Sequence, residues 1–287
     1  MPHLPIRLLP LLAVGALVAG PLAAQAPDER AALEAFRDSL AGTLDSVGLL
    51  TLEKKLIAQA KEDRTDPMLH LRLGFLALRL GELSGSSHYD DAASEFQWAI
   101  DLRPEWPYPW FGMGLAELGL GDSKVSVVAG LQTMFGKDAL TRSANAFARS
   151  AQVDPSFVLG LVELSNTALR QRVNVRLQVA LDALRLSAGT EAARHPDVLL
   201  ARGRVERRIG DPDSALAAFA ALAVATDSAP IARFELGRTR LWRGDVGGSA
   251  DYLAAAEADD SVVVSLFRLD LQPLTSDSAL GDFDVLR

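Results

Sequence analysis

A pair of glycines that recurs at a fixed interval constrains the fold of this chain more than any other feature. Gly203 and Gly210 recur as Gly237 and Gly244, each displaced by 34 residues. A period of this length is typical of stacked helical hairpins. Neither helix of such a hairpin can bury its apolar face alone, so neighbouring hairpins must share a core. The spacing therefore predicts an all-α array.

The same repeat pattern can be traced upstream of Gly203 in two further units. The first contains Leu73, Gly74, Gly81, Ala92, Phe96, Ala99 and Pro104, and the second contains Trp110, Met113, Gly114, Gly121, Phe147 and Pro155. The pattern resembles the tetratricopeptide repeat, which has a Leu-Gly pair on its first helix, alanine and an aromatic residue on its second, and proline near its end. The resemblance implies a right-handed superhelical solenoid of about five antiparallel hairpins that binds other proteins. We expect the small residues Gly74, Gly114, Gly203 and Gly237 to let the second helix of each hairpin approach closely, while Phe96, Phe147 and Phe219 fill the space beside them.

The first 26 residues have the composition of a bacterial secretory signal peptide. Arg7 precedes an apolar run from Leu8 to Ala19, and small residues follow. Cleavage after Ala24 is favoured, because cleavage after Ala26 would leave Pro27 at the new N-terminus. An uncleaved anchor is the weaker alternative, since the run is shorter than the roughly 20 residues of a membrane span. We expect a periplasmic or secreted protein with no membrane span after cleavage.

Cysteine is absent from the whole chain, which excludes disulfides and the lipid-bearing cysteine of a bacterial lipoprotein. Stability must come from apolar packing, for which 49% hydrophobic residues are ample. The chain has 29 Lys and Arg against 37 Asp and Glu, and a formal net charge of −8. This acidic balance argues against nucleic acid as a partner.

Turn residues and composition divide the remaining chain into three segments. Two helices at 27–66, from Glu29 to Leu44 and from Leu52 to Glu62 with Gly48 between them, are predicted to cap the array. The solenoid is expected at 67–270, closed by a solvated helix over 260–269, and a non-repetitive tail at 271–287. In the first hairpin we expect helices at 67–80 and 89–102, joined by a turn about six residues longer than the standard turn.

The second hairpin contains an insertion at 122–138. Its apolar residues predict an extra helix or packing against the groove, and a decoration without a role is the alternative. The C-terminal tail resembles the segment that, in some exported bacterial repeat proteins, leads into a domain named for a Gly-Trp-x-Thr-Asp motif. The motif itself is absent, so the resemblance implies a shortened relative of those proteins.

Catalytic and metal-binding patterns are absent from the sequence. The four histidines are scattered and none has the spacing of a zinc motif, so we expect neither a metal nor a cofactor. Gly119 and Gly121 are not followed by the Gly-Lys-Ser/Thr of a phosphate loop. Asp211 and Asp213 are interpreted as a turn and an N-cap before the next helix. The chain is therefore predicted not to be an enzyme.

The resemblance also implies a binding surface, because ligands of tetratricopeptide arrays usually contact fixed positions of the first helices, which line a concave groove. Carried onto this chain, those positions give an aromatic and aliphatic half and an arginine-rich half, formed by Phe75, Tyr108, Phe111, Leu115, Asn166, Arg170, Arg204, Arg208, Phe234, Arg238 and Trp242. An extended peptide with an apolar anchor and an acidic end would fit such a groove. The alternative is that the arginines pair with nearby acids such as Glu163, Glu206 and Glu235.

The leading functional hypothesis is a non-enzymatic scaffold of the cell envelope that binds a protein or peptide. One alternative is a structural component of an envelope assembly, which would make its contacts through the convex faces or the 122–138 insertion. Another is an accessory repeat domain of an enzyme encoded elsewhere or lost from this chain.

Overall fold

The computed structural model describes residues 25–43, 45–124, 132–171, 173–225, 229–258 and 260–273, without the side chains of 122–124, 132–138 and 229. Within these residues the chain forms thirteen α-helices and no strand. In chain order they are α1 (Pro27–Ala41), α2 (Ser46–Glu62), α3 (Pro67–Ser84), α4 (Ser87–Leu102), α5 (Pro107–Lys124), α6 (Gln132–Val153), α7 (Val158–Gln171), α8 (Asn174–Leu186), α9 (Pro196–Ile209), α10 (Pro212–Val224), α11 (Ala229–Trp242), α12 (Gly248–Ala256) and α13 (Ser261–Leu271).

Ten of these helices form five hairpins, α3 with α4, α5 with α6, α7 with α8, α9 with α10 and α11 with α12. The first helices of successive hairpins also contact one another, α3 with α5, α5 with α7 and α7 with α9. We call the surface formed by these first helices the inner surface of the array. At its ends, α2 packs on α3, and α13 packs on α11 and α12. The predicted all-α solenoid of about five hairpins is confirmed.

Aspartate and proline define several helix starts. Asp66, Asp211 and Asp260 each accept hydrogen bonds from two backbone N–H groups in the first turn of α3, α10 and α13. Pro67 and Pro212 follow two of these caps, at a position where the missing N–H has no partner to lose. The predicted N-cap at Asp211 is confirmed.

Glycines in the first helix of three hairpins admit a phenylalanine ring from the second helix, as the sequence predicts. A Cβ atom added to any of these glycines would lie 2.3 to 2.6 Å from a ring atom. The pairs are Gly74 with Phe96, Gly114 with Phe147, and Gly203 with Phe219. The repeating glycine thus sets the distance between the two helices.

The fifth hairpin is tighter still. A Cβ atom on Gly237 would lie 2.5 Å from the backbone nitrogen of Tyr252 and 2.7 Å from the carbonyl oxygen of Gly248. Here α11 and α12 meet backbone against backbone, so no side chain between them could move to make room.

The turn of the first hairpin is shorter than the sequence suggests. α3 continues to Ser84 and α4 begins at Ser87, so the expected long turn is wrong. Gly81 stays inside α3 because the ring of Tyr89 packs against it, 2.8 Å from where a Cβ would lie. The helix ends instead at Gly85, whose φ of 126° favours glycine.

The break between the first two helices also differs from the prediction. It lies at 42–45, where Asp45 accepts hydrogen bonds from the N–H groups of Val47 and Gly48. Gly48 therefore belongs to the first turn of α2 and does not separate the helices.

Part of the predicted insertion lengthens the second hairpin, because α5 continues to Lys124 and α6 begins at Gln132. The packing expected of the insertion at 122–138 lies outside the described residues, because none of its side chains is described. So do the signal peptide at 1–24 and the tail from 274 onward.

Buried side chains form one core that extends from Leu33 on α1 to Val205 on α9. Two smaller clusters lie beyond it, one around Phe219 and one around Phe234 and Phe267. None of the described helices is both long and apolar enough to cross a membrane.

Candidate functional site: two halves of the inner surface

The N-terminal half of the inner surface is covered by α1. The guanidinium carbon of Arg37 lies 4.9 Å from the ring centroid of Phe75, 5.2 Å from that of Phe111 and 5.9 Å from that of Tyr108. All three rings are buried. We call this covered surface of Phe75, Tyr108 and Phe111 the closed half. The expectation that these rings line an open groove does not hold, because α1 fills it, and their role in partner binding stays a prediction.

Polar contacts fix α1 on the closed half. The Tyr108 hydroxyl donates a hydrogen bond to a carboxylate oxygen of Glu34 at 2.5 Å, and Arg30 forms an ion pair with Asp154 at 2.8 Å. Burial, together with the bond to Glu34, raises the pKa of Tyr108 far above its usual value. The phenol therefore stays protonated and remains a donor. Leu115 is half-buried and packs against the main core.

The C-terminal half of the inner surface is open. A cavity of 490 Å³, which we call the arginine cavity, is lined by Leu169, Arg204, Arg207, Arg208, Glu235, Arg238, Trp242 and Leu266. Four residues predicted from the sequence lie together here, namely Arg204, Arg208, Arg238 and Trp242. Trp242 is 67% exposed.

A buried carboxylate organises this cavity. Arg204 donates to one oxygen of Glu235 at 2.7 Å, and Arg207 donates to the other at 2.5 Å. Arg207 also donates to the hydroxyl of Thr239 at 3.1 Å. Burial alone would raise the pKa of Glu235, but the charges and hydrogen bonds of Arg207 and Arg204 outweigh it and hold the pKa below its usual value. Glu235 is therefore ionised, and it fixes both guanidinium groups.

The cavity retains positive charge beyond these pairs. Arg238 pairs with Asp270 at 2.7 Å, and its guanidinium lies 5.7 Å from the ring centroid of Phe234. Arg208 is exposed and has no carboxylate partner among the described residues. Four arginines thus face two paired carboxylates, Glu235 and Asp270, which leaves an excess of cationic donors around the opening.

Ion pairs within the chain account for some of the predicted arginines but not for all of them. Glu235 does pair with Arg204, as the alternative required. Glu206 instead pairs with Arg185 on the outer helix α8, at 3.1 Å. Intramolecular pairing therefore accounts for Arg204, Arg207 and Arg238, whereas Arg208 is exposed and has no carboxylate partner among the described residues.

The other predicted residues have different positions. Asn166 and Arg170 lie beside Glu163 on their own helix. Burial raises the pKa of Glu163, against the opposing hydrogen bond from Asn166 and charge of Arg170. Phe234 is fully buried between Tyr252 and Phe267, with ring centroids 5.3 and 4.9 Å away. It supports the cavity wall and does not line the surface.

Sequence reasoning missed a polar cluster at the other end of the array. His70 is buried, with Nδ1 2.7 Å from a Glu95 carboxylate oxygen and Nε2 3.0 Å from the Arg64 carbonyl oxygen. Its ring stacks on Trp98 at 5.8 Å. The hydrogen bond to Glu95 raises the pKa of His70 despite the opposing effect of burial. Because both neighbours accept hydrogen bonds, the doubly protonated ring satisfies both, and neither nitrogen is free for a metal.

Nowhere in the described part of the chain do three His, Asp or Glu side chains come together in an arrangement that could hold a metal ion.

Comparison with solved structures finds helical repeat proteins of low sequence identity. TTC0263, a thermophilic tetratricopeptide repeat protein of Thermus thermophilus, has a TM-score of 0.46 and 16% identity, covering 74% of this chain and 99% of its own. YrrB, a tetratricopeptide repeat protein with an unusual peptide-binding site, has a TM-score of 0.48 and 14% identity, covering 74% of this chain and 97% of its own. No protein-family model and no curated protein sequence matches the chain.

Proposed function

We propose that this chain is a non-catalytic scaffold, exported to the cell envelope, that binds an acidic segment of a protein partner in the arginine cavity. The observation that carries this proposal is the excess of arginine over carboxylate around an opening that also contains an exposed tryptophan. Arginine presents several N–H donors in a rigid plane that matches a carboxylate.

Preorganisation makes this cavity a better site than scattered surface arginines. Glu235 accepts one hydrogen bond from Arg204 and one from Arg207, which fixes both guanidinium groups before a ligand arrives. Binding a ligand to their remaining N–H groups therefore costs little additional side-chain entropy. Arg208 adds a cation that no carboxylate of the described residues neutralises. A partner carboxylate would bind between these groups, and an adjacent apolar side chain would pack on Trp242, Leu169 or Leu266.

The test is a titration of the purified chain with three synthetic peptides that differ only in charge. Each carries a leucine followed by three glutamates, three glutamines or three lysines, with the C-terminus amidated. We expect binding of the glutamate peptide alone, with loss of affinity as salt increases. A glutamate-free peptide with a free C-terminus separates recognition of a terminal carboxylate from recognition of acidic side chains.

The matched variants are Arg208→Ala and Arg243→Ala. Arg208 lines the cavity, whereas Arg243 pairs with Asp213 and lies outside it. We expect Arg208→Ala to weaken binding about tenfold, as for loss of one charge-assisted hydrogen bond, and Arg243→Ala to have no effect. Equal binding of the three peptides, or equal effects of the two variants, would contradict the proposal.

A further inference from the structure

Polar side chains contact α1 at both of its ends. At its start, the Gln25 amide contacts the Met68 sulfur at 3.8 Å, near the beginning of α3. At its end, Arg79 of α3 donates to the carbonyl oxygens of Ala41 at 3.4 Å and Thr43 at 2.9 Å. α1 therefore runs in the same direction as α3, along the inner surface.

α1 has less apolar anchoring than α3. Two of its residues, Leu33 and Leu40, are buried and Phe36 packs half-buried against the core, whereas α3 buries eleven residues. On the side facing α2 there is a cavity of 450 Å³ bordered by Phe36, Leu52 and Lys55, so the two helices are not closely packed there. α1 packs on α3, and its Glu34 and Arg37 side chains reach Tyr108 and Phe111 of α5. One face of α1 carries Leu33, Glu34, Arg37 and Leu40.

The surface beneath α1 is held in place by contacts that do not involve α1. Tyr108 packs edge to face against Phe157 at 4.7 Å, and Phe75 packs in the same way against Phe96 at 5.0 Å. Phe111 contacts Phe147 at 5.8 Å. These partner rings lie on or beside other helices of the array, so the closed half would keep its shape if α1 left.

Departure of α1 would uncover a surface of defined chemistry. Three ring faces attract a cation, the Tyr108 hydroxyl donates a hydrogen bond, and Asp154 accepts a basic side chain. Arginine is the side chain that stacks on rings most readily among the cationic residues.

We propose that the closed half is a helix-binding site, that α1 occupies it in the isolated chain, and that a helix of a partner protein displaces α1. The partner helix would carry leucine, an acid, arginine and leucine at positions i, i+1, i+4 and i+7, the spacing of Leu33, Glu34, Arg37 and Leu40. This proposal stands independently of the arginine cavity, which lies on other helices and takes an acidic ligand.

The linker between α1 and α2 determines how strongly α1 competes with an added helix for the closed half. Residues 42–45 join α1 to α2, and α2 is anchored on α3. A short linker gives α1 an effective concentration on the order of millimolar, so an added helix binds weakly until the contacts of α1 are weakened. Substitutions on α1 should therefore open the site to a helix supplied in trans.

The test uses the full chain carrying Leu33→Ala and Arg37→Ala, with Asp38→Ala as the control on the exposed face of α1. The probe is a fluorescent synthetic peptide of residues 25–43, read by anisotropy. We expect the peptide to bind the doubly substituted chain about tenfold or more tightly than it binds the unsubstituted chain or the control. The same peptide with Arg37→Ala should lose about tenfold in affinity, and adding Tyr108→Phe to the chain should weaken binding several-fold, which locates it on the closed half.

Equal affinity for the three chains, or for the two peptides, would overturn the proposal. Loss of cooperative unfolding in the doubly substituted chain would overturn it as well, because α1 would then be an integral part of the core. Hydrogen exchange of the unsubstituted chain gives a second measurement. Amides of α1 should exchange about tenfold or more faster than those of α3, and equal rates would contradict a displaceable α1.

Discussion

The two halves of the inner surface are built on the same repeating helices but differ in what satisfies their side chains. In the closed half, α1 supplies Arg37 and Glu34 to rings and a hydroxyl. In the arginine cavity, Glu235 of α11 satisfies Arg204 and Arg207 from within the array, and the opening stays free. The difference indicates that an inner-surface position is buried or open according to what covers it, and not according to its residue type.

Removal of the buried carboxylate should be the most damaging change. Glu235→Ala leaves two guanidinium groups in a partly buried site without a counter-charge, and we expect the free energy of unfolding to fall by about 3 to 5 kcal/mol. Urea unfolding followed by circular dichroism measures it. Asp270→Ala is the control, because its partner Arg238 is more exposed and should lose less. Equal losses would show that Glu235 has no special role.

An added methyl group should destabilise the fifth hairpin, at Gly237, more than the fourth hairpin, at Gly203. Gly237→Ala would push a Cβ against backbone atoms, whereas Gly203→Ala meets a Phe219 ring that can shift. We expect a loss of about 3 kcal/mol for Gly237→Ala and about 1 to 2 kcal/mol for Gly203→Ala. Thermal unfolding of both variants checks the order, and a reversed order would contradict the geometry.

Loss of the Tyr108 hydroxyl should destabilise the docking of α1 and have little effect on the rest of the fold. Tyr108→Phe removes the hydrogen bond to Glu34, and we expect α1 amides to exchange about tenfold faster, as for a loss of about 1.4 kcal/mol. Tyr252→Phe is the matched control, since that hydroxyl donates to Asp270 in the C-terminal half. If both variants changed α1 equally, the bond to Glu34 would not hold the helix.

The smallest expected effect is a pH dependence from His70. Its pKa is raised in the folded chain by Glu95, with smaller contributions from the Arg64 carbonyl and Asp66. The protonated ring therefore stabilises the fold fully below about pH 6.5, the unfolded value, and this stabilisation is lost as pH rises through the folded pKa. His70→Gln or Glu95→Gln should flatten the melting temperature over about pH 5 to 9. An unchanged pH profile in both variants would refute the assignment.

The repeating elements could be predicted because their signals are local. A glycine that faces a ring at a fixed spacing, as Gly203 faces Phe219, determines its own helix contact, and Asp211 caps the helix that follows it directly. The turn of the first hairpin could not be predicted. The local sequence does not show which of two glycines, Gly81 or Gly85, ends the helix. Gly81 stays helical and packs against Tyr89, whereas the helix ends at Gly85.

The sites were predicted less completely because they depend on distant contacts. Arg204, Arg208, Arg238 and Trp242 meet in one cavity, since they lie at equivalent positions of adjacent hairpins. Nothing within 27–41 indicates that Arg37 would stack on rings of two other helices. An amphipathic helix at the end of an array could either cap the array or lie on its inner surface. The position of α1 depends on the complementary surface of α3 and α5, which its own sequence does not reveal.

Hydrogen exchange with and without the acidic peptide tests the comparison of the two halves most directly. We predict that the peptide slows exchange at 204–208 and 235–242 and leaves 27–41 unchanged, because the arginine cavity is open and the closed half is already filled. Slower exchange confined to α3 and α5, or faster exchange of α1 without any change in α9 and α11, would contradict this account.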